Sequence, residues 1–294
     1  MPPRLVVVEG LPGSGKTTAA DVIADLLRSR GVACRVVFEG DPEHPADFES
    51  VALLDQATLA RLAEAHPGCR EELDRVGRRV EDGVLLGYGR LPGSTPEPLL
   101  DELRAREVYE LPLDRHIRLR RRLWREFVAE AARLDVVHVF ECCLIQNPVT
   151  VTALRDDAPE ELVHSFVAGL VDDAAELDPL VVYLDQTDVD ACFERIVRER
   201  PREWHDFFVG YYTGRGLGLA MGATGDAGTV RVLRRRAELE QRLLGRIGAT
   251  VEHVDTSVRD LAASRTALAG VVDRAFGPGG GLLAGQGVSS TLPT

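Results

Sequence analysis

Short apolar runs alternate with longer stretches of mixed polarity along most of the chain. Nearly every residue in the short runs is apolar, which is typical of strands that are covered on both faces. They predict five strands, at residues 5–8, 35–38, 136–140, 181–184 and 251–254. The longer stretches predict helices at residues 16–29, 115–134, 159–177, 189–199, 230–247 and 258–276. This alternation predicts an α/β fold, with a parallel sheet flanked by helices.

Almost a hundred residues separate the second predicted strand from the third, which is too long for a plain crossover connection. Helical patterns recur within them, near residues 56–65, 69–80 and 99–107. We therefore predict a helical insertion over residues 42–135 that covers the carboxyl edge of the sheet, where open α/β folds bind ligands. Residues 277–294 are rich in glycine and serine and carry no charge, so they predict a flexible tail behind a domain spanning residues 1–276.

The chain has 294 residues, with 35 basic and 47 acidic side chains and a formal net charge of −12. This excess of negative charge opposes contact with a phosphate backbone, so we expect no nucleic-acid partner. No apolar run is long enough for a bilayer span or a signal peptide, so we expect a cytoplasmic protein with no membrane partner. The five cysteines include no Cys-x-x-Cys pair, which favours reduced thiols. The sequence leaves the oligomeric state open, and a homodimer is one of the alternatives.

Lysine and arginine are used very unequally in this chain. It contains 34 arginines but a single lysine, Lys16. Arginine is a broad planar fork and lysine is a compact point charge, so the exception points to a cramped pocket for an anion.

Lys16 belongs to a glycine-rich run, GLPGSGKT, at residues 10–17 between a predicted strand and a predicted helix. The run matches G-x-x-x-x-G-K-[ST], in which glycines let backbone N–H groups surround phosphates and the helix adds its positive end. The lysine of this pattern contacts the β- and γ-phosphates, and the threonine hydroxyl holds Mg²⁺. We therefore expect ATP and Mg²⁺ as ligands. The candidate nucleotide-binding residues are Gly10, Gly13, Ser14, Gly15, Lys16, Thr17 and Thr18.

Two other classes of nucleotide-binding protein lack their motifs here. A switch GTPase needs Asn-Lys-x-Asp, and the single lysine already lies in the loop, so ATP is favoured over GTP. Its Asp-x-x-Gly motif occurs only at residues 74–77, in a charged helical stretch. A motor or ring ATPase needs an acidic pair after an apolar strand, whereas Gln186 follows Asp185. These absences favour a small-molecule kinase.

Two segments resemble thymidylate kinases and deoxynucleoside kinases. The run VVVEG at residues 6–10 is similar to the start of these enzymes. A second segment is similar to the deoxynucleoside kinase stretch that ends in an arginine-bearing lid. It consists of residues 181–184, followed by Thr187 and by CFERI at residues 192–196. The resemblance covers the five-strand framework but not the long insertion. It implies a P-loop kinase fold with the sheet order 2-3-1-4-5, and a lid and flap over residues 195–228.

Two glutamates follow predicted strands at the edge where the loop lies. Such strand-end carboxylates point into the crevice beside the loop, and phosphoryl transfer needs one near the acceptor hydroxyl and one near Mg²⁺. The resemblance implies that Glu39 takes the proton from the hydroxyl. Asp41 is an alternative base. The simpler interpretation of Glu39 is a solvated acid at the end of a strand, without a catalytic role. It implies that Glu141 holds the metal together with Thr17. Residues 142–143 are both cysteine where the family has Arg and Ser, which leaves the acceptor open.

Several arginines lie close together near the predicted lid, around the helix-breaking Pro201. In a kinase such a window closes over the triphosphate, and its guanidinium groups spread the charge that develops during transfer. A solvated helix face paired with acids is the alternative. The candidates are Arg195 and Arg198 for catalysis and Arg200 for nucleotide binding. The aromatic and glycine-rich segment 204–228 either stacks on the acceptor as a flap or pins a loop to the core.

These features predict a kinase that transfers the γ-phosphoryl group of Mg-ATP to a hydroxyl of a small molecule, nucleoside-like or another metabolite. One alternative is a nucleoside monophosphate kinase whose acceptor phosphate lies on an arginine-bearing helix face, although a solvated face also explains that pattern. A second alternative is a regulatory protein that hydrolyses ATP only with a partner. The candidate catalytic residues are Lys16, Glu39, Glu141, Arg195 and Arg198. The arginine-bearing face comprises Arg115, Arg118, Arg122 and Arg125.

Overall fold

The computed structural model describes residues 2–41 and 44–278. The strands are β1 (Leu5–Gly10), β2 (Cys34–Val37), β3 (Val51–Leu54), β4 (Gly77–Val80), β5 (Gly83–Gly87), β6 (Val137–Glu141), β7 (Leu180–Asp185) and β8 (Thr250–Asp255). The helices are α1 (Lys16–Ser29), α2 (Gln56–Ala65), α3 (Arg70–Val76), α4 (Glu97–Arg104), α5 (Leu113–Ala131), α6 (Gln146–Val149), α7 (Glu160–Asp173), α8 (Val189–Glu199), α9 (Arg202–Thr213), α10 (Gly216–Ala220), α11 (Gly225–Leu244) and α12 (Leu261–Phe276). A π-helical turn, Thr150–Arg155, continues α6.

Five strands form one parallel sheet in the order β2-β6-β1-β7-β8. When only the five strands of this sheet are numbered along the chain, their order is 2-3-1-4-5. The strands β3, β4 and β5 are left out of this numbering because they belong to a second sheet. The central strand β1 is completely buried, as the predicted apolar run requires. All five predicted strands are confirmed, each to within one or two residues at its ends.

Helices cover both faces of the parallel sheet, and alternate residues of β1 face the two sides. Val6 and Val8 pack with α1 and α12, whereas Leu5 and Val7 pack with α5, α7 and α11. The predicted α/β architecture with flanking helices is therefore confirmed. No helix in the described ranges is long and apolar enough to cross a bilayer.

The insertion after β2 is only partly helical, which corrects the prediction for residues 42–135. Its three short strands form an antiparallel sheet in the order β3-β5-β4. The pattern at residues 69–80 predicts one helix, but α3 ends at Val76 and the chain reverses through a hairpin at Gly83. There φ is +138°, and a Cβ atom would lie 2.1 Å from the carbonyl oxygen of Leu54. Only glycine fits where the backbone at residue 83 passes this close to the backbone of Leu54. This close approach lets β5 pair with both β3 and β4.

The glycine-rich flap predicted within residues 204–228 is helical, since α9, α10 and the start of α11 occupy it. Two of its aromatic residues, Phe208 and Tyr212, are buried against the apolar face of α11. They pin the segment to the core, whereas the Phe207 side chain is 70% exposed. The closing movement of this segment stays a prediction. Of the tail predicted at residues 277–294, residues 279–294 lie outside the described part of the chain.

Candidate active site

The loop between β1 and α1 turns sharply at its glycines. Gly10 has φ +143° and Gly13 has φ +77°, both in the region that favours glycine. A Cβ atom at Gly13 would lie 2.3 Å from Cγ1 of Ile196, so the loop packs tightly against α8. Helix α1 begins at Lys16, directly after Gly15, which has no side chain with which to cap it. The first N–H groups of α1 and its positive end therefore face the loop.

The Lys16 side chain is folded back over the loop and is 7% exposed. Its ammonium donates to the carbonyl oxygens of Gly10 at 3.2 Å and Leu11 at 3.1 Å, which uses two of its three N–H groups. Burial alone would lower the pKa of Lys16, but the neighbouring carboxyl groups of Glu39 and Glu9 contribute to raising it above its ordinary value. The structure thus holds a compact, permanently charged cation at the carboxyl end of β1.

Ser14 adds an unused donor to the same loop. Its Oγ atom is buried and has no hydrogen-bond partner within residues 2–41 and 44–278. The backbone around it is held in place, because the Thr256 hydroxyl donates to the Ser14 carbonyl oxygen at 2.9 Å. Thr18 is exposed in the first turn of α1. The loop therefore offers four features that fit a polyphosphate: glycines with positive φ, the start of a helix, an ammonium group and a hydroxyl that is free to donate.

Thr17, Glu141 and Glu39 form a chain of hydrogen bonds across the carboxyl ends of β1, β6 and β2. The Thr17 hydroxyl donates to Glu141 Oε2 at 3.1 Å, and the Glu39 backbone N–H donates to Glu141 Oε1 at 2.9 Å. Burial raises the pKa of Glu141, while this N–H, Lys16 and Thr17 partly offset the shift. A hydroxyl and a carboxylate oxygen are the ligand types that Mg²⁺ prefers. The two predicted metal ligands therefore lie in hydrogen-bond contact.

The Glu39 carboxylate is held by two side chains that follow β6. Gln146 Nε2 donates to Glu39 Oε1 at 2.6 Å, and the Cys142 thiol donates to Oε2 at 3.1 Å. Burial raises the pKa of Cys142 well above its usual range, so the thiol keeps its proton. Cys142 adopts φ +66°, an uncommon conformation for a residue with a Cβ atom. Cys142 thus places a neutral donor against the predicted base.

Glu9 is a buried carboxylate that the sequence analysis did not place in the site. It accepts three backbone N–H groups of the turn after β6, from Leu144 at 2.7 Å, Ile145 at 2.9 Å and Gln146 at 2.9 Å. Burial raises the pKa of Glu9 to about 7, although the three N–H groups oppose the shift. Glu9 therefore fastens β1 to the turn that carries Gln146, and through Gln146 it positions Glu39.

A cavity of about 860 Å³ opens beside this group of residues. It reaches from Pro12 of the loop and Glu39 to side chains of the insertion, and acceptor binding by the insertion stays a prediction. Its volume lies in the range of sites for drug-sized ligands. Its wall also includes Asp47, Glu49, Tyr88, Glu107, Tyr109, Gln146, Phe207, Tyr211 and Arg236.

Arg236 of α11 is the second functional candidate that sequence reasoning missed. The side chain is 1% exposed, and its Nε atom donates to Glu240 Oε1 at 2.6 Å. Its other nitrogens donate to the Tyr212 hydroxyl at 2.9 Å and the Gln146 carbonyl oxygen at 3.1 Å. An Arg-x-x-x-Glu pair on an otherwise apolar helix face was the available signal. Its cation is neutralised by Glu240, so Arg236 stiffens the cavity wall.

The predicted lid arginines have separate surroundings. Arg195 is partly buried and donates to the Ser257 carbonyl oxygen at 3.2 Å and to Gln186 Oε1 at 3.0 Å. Arg198 and Arg200 are exposed, and the Arg200 guanidinium lies 5.8 Å from the ring centre of Trp204. The structure therefore does not gather these three arginines at one point. Their roles in transfer stay predictions.

The predicted arginine face of α5 is not part of the wall of the 860 Å³ cavity, since none of its four arginines lines it. Arg118 pairs with Asp114, Arg122 with Glu81 and Asp82 of the hairpin, and Arg125 with Asp173. Arg115 is exposed. Surface ion pairs explain this face without a bound phosphate.

Comparisons with known proteins give only distant similarities. No family model and no curated protein matches the chain. A solved structure from Chloroflexus aurantiacus, described as a "putative kinase", has a TM-score of 0.38 and 14% identity, and the match covers 94% of this chain and 100% of that one. The structure of APE1195 has a TM-score of 0.31 and 14% identity, and the match covers 83% of this chain and 97% of that one. Similarities this low are not evidence of a shared activity.

Proposed function

We propose that the protein is a kinase that uses Mg-ATP to phosphorylate a hydroxyl group of a small molecule. One observation carries the proposal: the Lys16 ammonium, the Thr17 hydroxyl and the Glu141 and Glu39 carboxylates converge beside a glycine-rich loop at the mouth of a large cavity. Phosphoryl transfer needs a cation for the phosphates, oxygen ligands for Mg²⁺ and a carboxylate for the acceptor hydroxyl. This group of residues supplies all three.

The residues of the loop fit a nucleoside triphosphate. Lys16 and the first N–H groups of α1 would bind its phosphates, and the free Ser14 hydroxyl would donate to a phosphate oxygen. Thr17 and Glu141 would hold Mg²⁺, whose charge offsets that of the phosphates when the ion is bound. The Glu39 N–H keeps the Glu141 carboxylate turned toward Thr17.

Glu39 is the proposed general base. Its carboxylate accepts the acceptor's hydroxyl proton as the acceptor oxygen forms a bond to the γ-phosphorus. The bond from that phosphorus to the β-γ bridging oxygen breaks, and ADP leaves with the electron pair. Gln146 and the protonated Cys142 thiol keep the carboxylate in one orientation. General-base assistance of this kind typically contributes about 10² to 10⁴-fold to the rate.

Other functions have less support from the site. A monophosphate acceptor would need a cation beside Glu39, but the predicted arginine face of α5 lies elsewhere and is largely paired with acids. A regulatory ATP-binding protein would not need an acceptor cavity of about 860 Å³ next to the predicted base.

Transfer of labelled phosphate tests the proposal. The purified protein is incubated with γ-labelled ATP, Mg²⁺ and a fractionated metabolite extract, and labelled small molecules are separated from ATP and free phosphate. We expect a labelled product with the wild-type chain and none with Lys16→Ala, whose circular dichroism spectrum should match the wild type. Release of free phosphate alone, or equal transfer by Lys16→Ala, would contradict the proposal.

A further inference from the structure

The cavity beside Glu39 has a strong excess of negative charge. Five carboxylates and three arginines line it. The arginines do not neutralise four of these acids, because each arginine is committed to another partner. Arg104 pairs with Glu97 and Asp101, Arg215 with Glu110, and Arg236 with Glu240. Glu39, Asp47, Glu49 and Glu107 form no ion pair within the described part of the chain.

Two of the four acids are satisfied by hydrogen bonds. Asp47 is 4% exposed and accepts from the Gly40 N–H at 2.9 Å, from Asn147 Nδ2 at 3.3 Å and from the Tyr109 hydroxyl. Glu39 accepts from Gln146 and Cys142, as described above. These hydrogen bonds fix the two carboxyl groups in position.

Glu49 and Glu107 lie in a different electrostatic environment. Burial raises the pKa of Glu49, and the charges of Asp47, Glu39 and Glu107 raise it further. Burial also raises the pKa of Glu107, and the hydrogen bonds from the Ser50 N–H at 2.8 Å and from the Tyr88 hydroxyl only partly offset that shift. The charges that shift the pKa of Glu49 within the described residues all come from carboxylates, so a positive charge between these two side chains would relieve their repulsion.

Gln146 provides an independent sign of a ligand at the same place. Its side chain lines the cavity and is only 8% exposed, and its Oε1 atom has no hydrogen-bond partner within the described residues. The contact between Nε2 and Glu39 fixes the orientation of this amide, so the free atom is an acceptor. A buried acceptor without a partner is costly, and a donor on a bound molecule would satisfy it.

We propose that the acceptor is an amine-bearing polyhydroxylated compound, whose ammonium group lies between Glu49 and Glu107 while a second donor bonds to Gln146 Oε1. This inference rests on the proposed function, since it names the substrate class of the same site. The amine supplies the missing cation, and one hydroxyl is presented to Glu39. The Tyr88 and Tyr211 side chains also line the cavity.

This charge pattern discriminates against neutral and anionic acceptors. An uncharged nucleoside would place no cation between Glu49 and Glu107, and a monophosphate would bring a further anionic group to a wall that is already rich in carboxyl groups. The acidic wall therefore selects by charge as well as by shape.

A matched pair of cyclitols tests the inference. 2-Deoxystreptamine carries two amines, and 2-deoxy-scyllo-inositol has the same ring with hydroxyls in their place. Binding of each, and of thymidine, is measured by calorimetric titration at low ionic strength in the absence of ATP. We expect the diamine to bind at least about tenfold more tightly than the other two, since one charge-assisted contact is worth about a factor of ten.

Variants locate the effect within the cavity. Glu49→Gln and Glu107→Gln should each reduce diamine affinity by about tenfold, and Glu64→Gln, an equal change of charge at an exposed position of α2, should leave it unchanged. Absence of diamine binding, equal binding of the two cyclitols, tighter binding of thymidine, or insensitivity to both cavity variants would overturn the inference.

The two proposals fail in different ways. Lys16→Ala should retain diamine binding, because Lys16 does not line the cavity wall. If Mg-ATP binds but the diamine preference is absent, the inference about the acceptor is wrong and the kinase proposal stands. If the diamine binds as expected but Mg-ATP does not, the acidic cavity is a binding site and the kinase proposal is wrong.

Discussion

The Thr17 hydroxyl and the Glu141 carboxylate, which are 124 positions apart in the chain, lie 3.1 Å from each other. Thr17 stands in the first turn of α1, and Glu141 ends the neighbouring strand β6. Pairing of β1 with β6 sets this contact, since Val8 lies in register with Glu141. The sheet order thus brings together two oxygen ligands suited to Mg²⁺.

Removal of the Thr17 hydroxyl should raise the Mg²⁺ requirement. Thr17→Val keeps the shape of the side chain but loses the oxygen, so we expect the Mg²⁺ concentration for half-maximal activity to rise by about tenfold or more. Thr17→Ser keeps the oxygen and serves as the control. Steady-state rates across a Mg²⁺ titration measure the effect. Equal requirements in the valine and serine variants would show that Thr17 is not a ligand.

Glu39→Gln should separate proton transfer from nucleotide binding. The amide cannot accept the hydroxyl proton, so kcat should fall by about 10² to 10⁴-fold while the dissociation constant for Mg-ATP changes little. Asp41→Asn is the matched comparison, because Asp41 is the alternative base on the same segment. A large loss of kcat in Asp41→Asn together with normal turnover in Glu39→Gln would reverse the assignment.

The close contact between Gly13 and Ile196 predicts a coupled pair of substitutions. Gly13→Ala places a Cβ atom against Ile196 at a positive φ, so the free energy of unfolding should fall by about 1–3 kcal/mol. Gly13→Ala combined with Ile196→Ala should cost less than the sum of the two single changes. Gly68→Ala, where nothing lies within 4 Å of the new atom, is the control. Simple additivity in urea denaturation would argue against this packing.

The buried Glu9 carboxyl group leads us to expect an unusual dependence of the free energy of unfolding on pH. Its pKa is raised to about 7 in the folded chain and is near 4.5 in the unfolded chain, so the folded state holds the proton more tightly. The stability from this group is present below pH 4.5 and is lost as pH rises through about 7, a loss of about 3 kcal/mol. Denaturant titrations of Glu9→Gln between pH 5 and 8 should show a flatter profile than the wild type. An identical slope in both proteins would contradict the buried carboxylate.

The parallel framework could be predicted because its signals are local. Fully apolar runs identify the five strands, and the predicted helices at residues 16–29 and 189–199 coincide with α1 and α8. The antiparallel sheet of the insertion was missed because Arg78 and Arg79 sit in a stretch whose charge pattern resembles a helix. The Asp82-Gly83 pair, a common hairpin signal, was the available indication of the turn.

The candidate site also combines residues that the sequence could predict with residues that it could not. The loop and the two strand-end glutamates have sequence signals, and the structure brings them into contact with each other. Glu9 and Arg236 contact the turn after β6 from positions 135 and 90 residues away, and no local pattern reveals these contacts, although the Arg236–Glu240 pair itself is visible in the sequence. The acidic wall of the cavity was missed for the same reason, because Glu49 and Glu107 come from segments of the insertion that are far apart in the chain.

Calorimetric titration with ATP, in the presence and absence of Mg²⁺, tests the central claim most directly. The wild-type chain should bind Mg-ATP at one site, and binding should weaken strongly without the metal and be lost in Lys16→Ala. Lys16→Arg should also lose binding, because a broad planar guanidinium would replace the compact buried ammonium that donates to the Gly10 and Leu11 carbonyl oxygens. No heat with Mg-ATP, or binding unchanged in both Lys16 variants, would contradict the account.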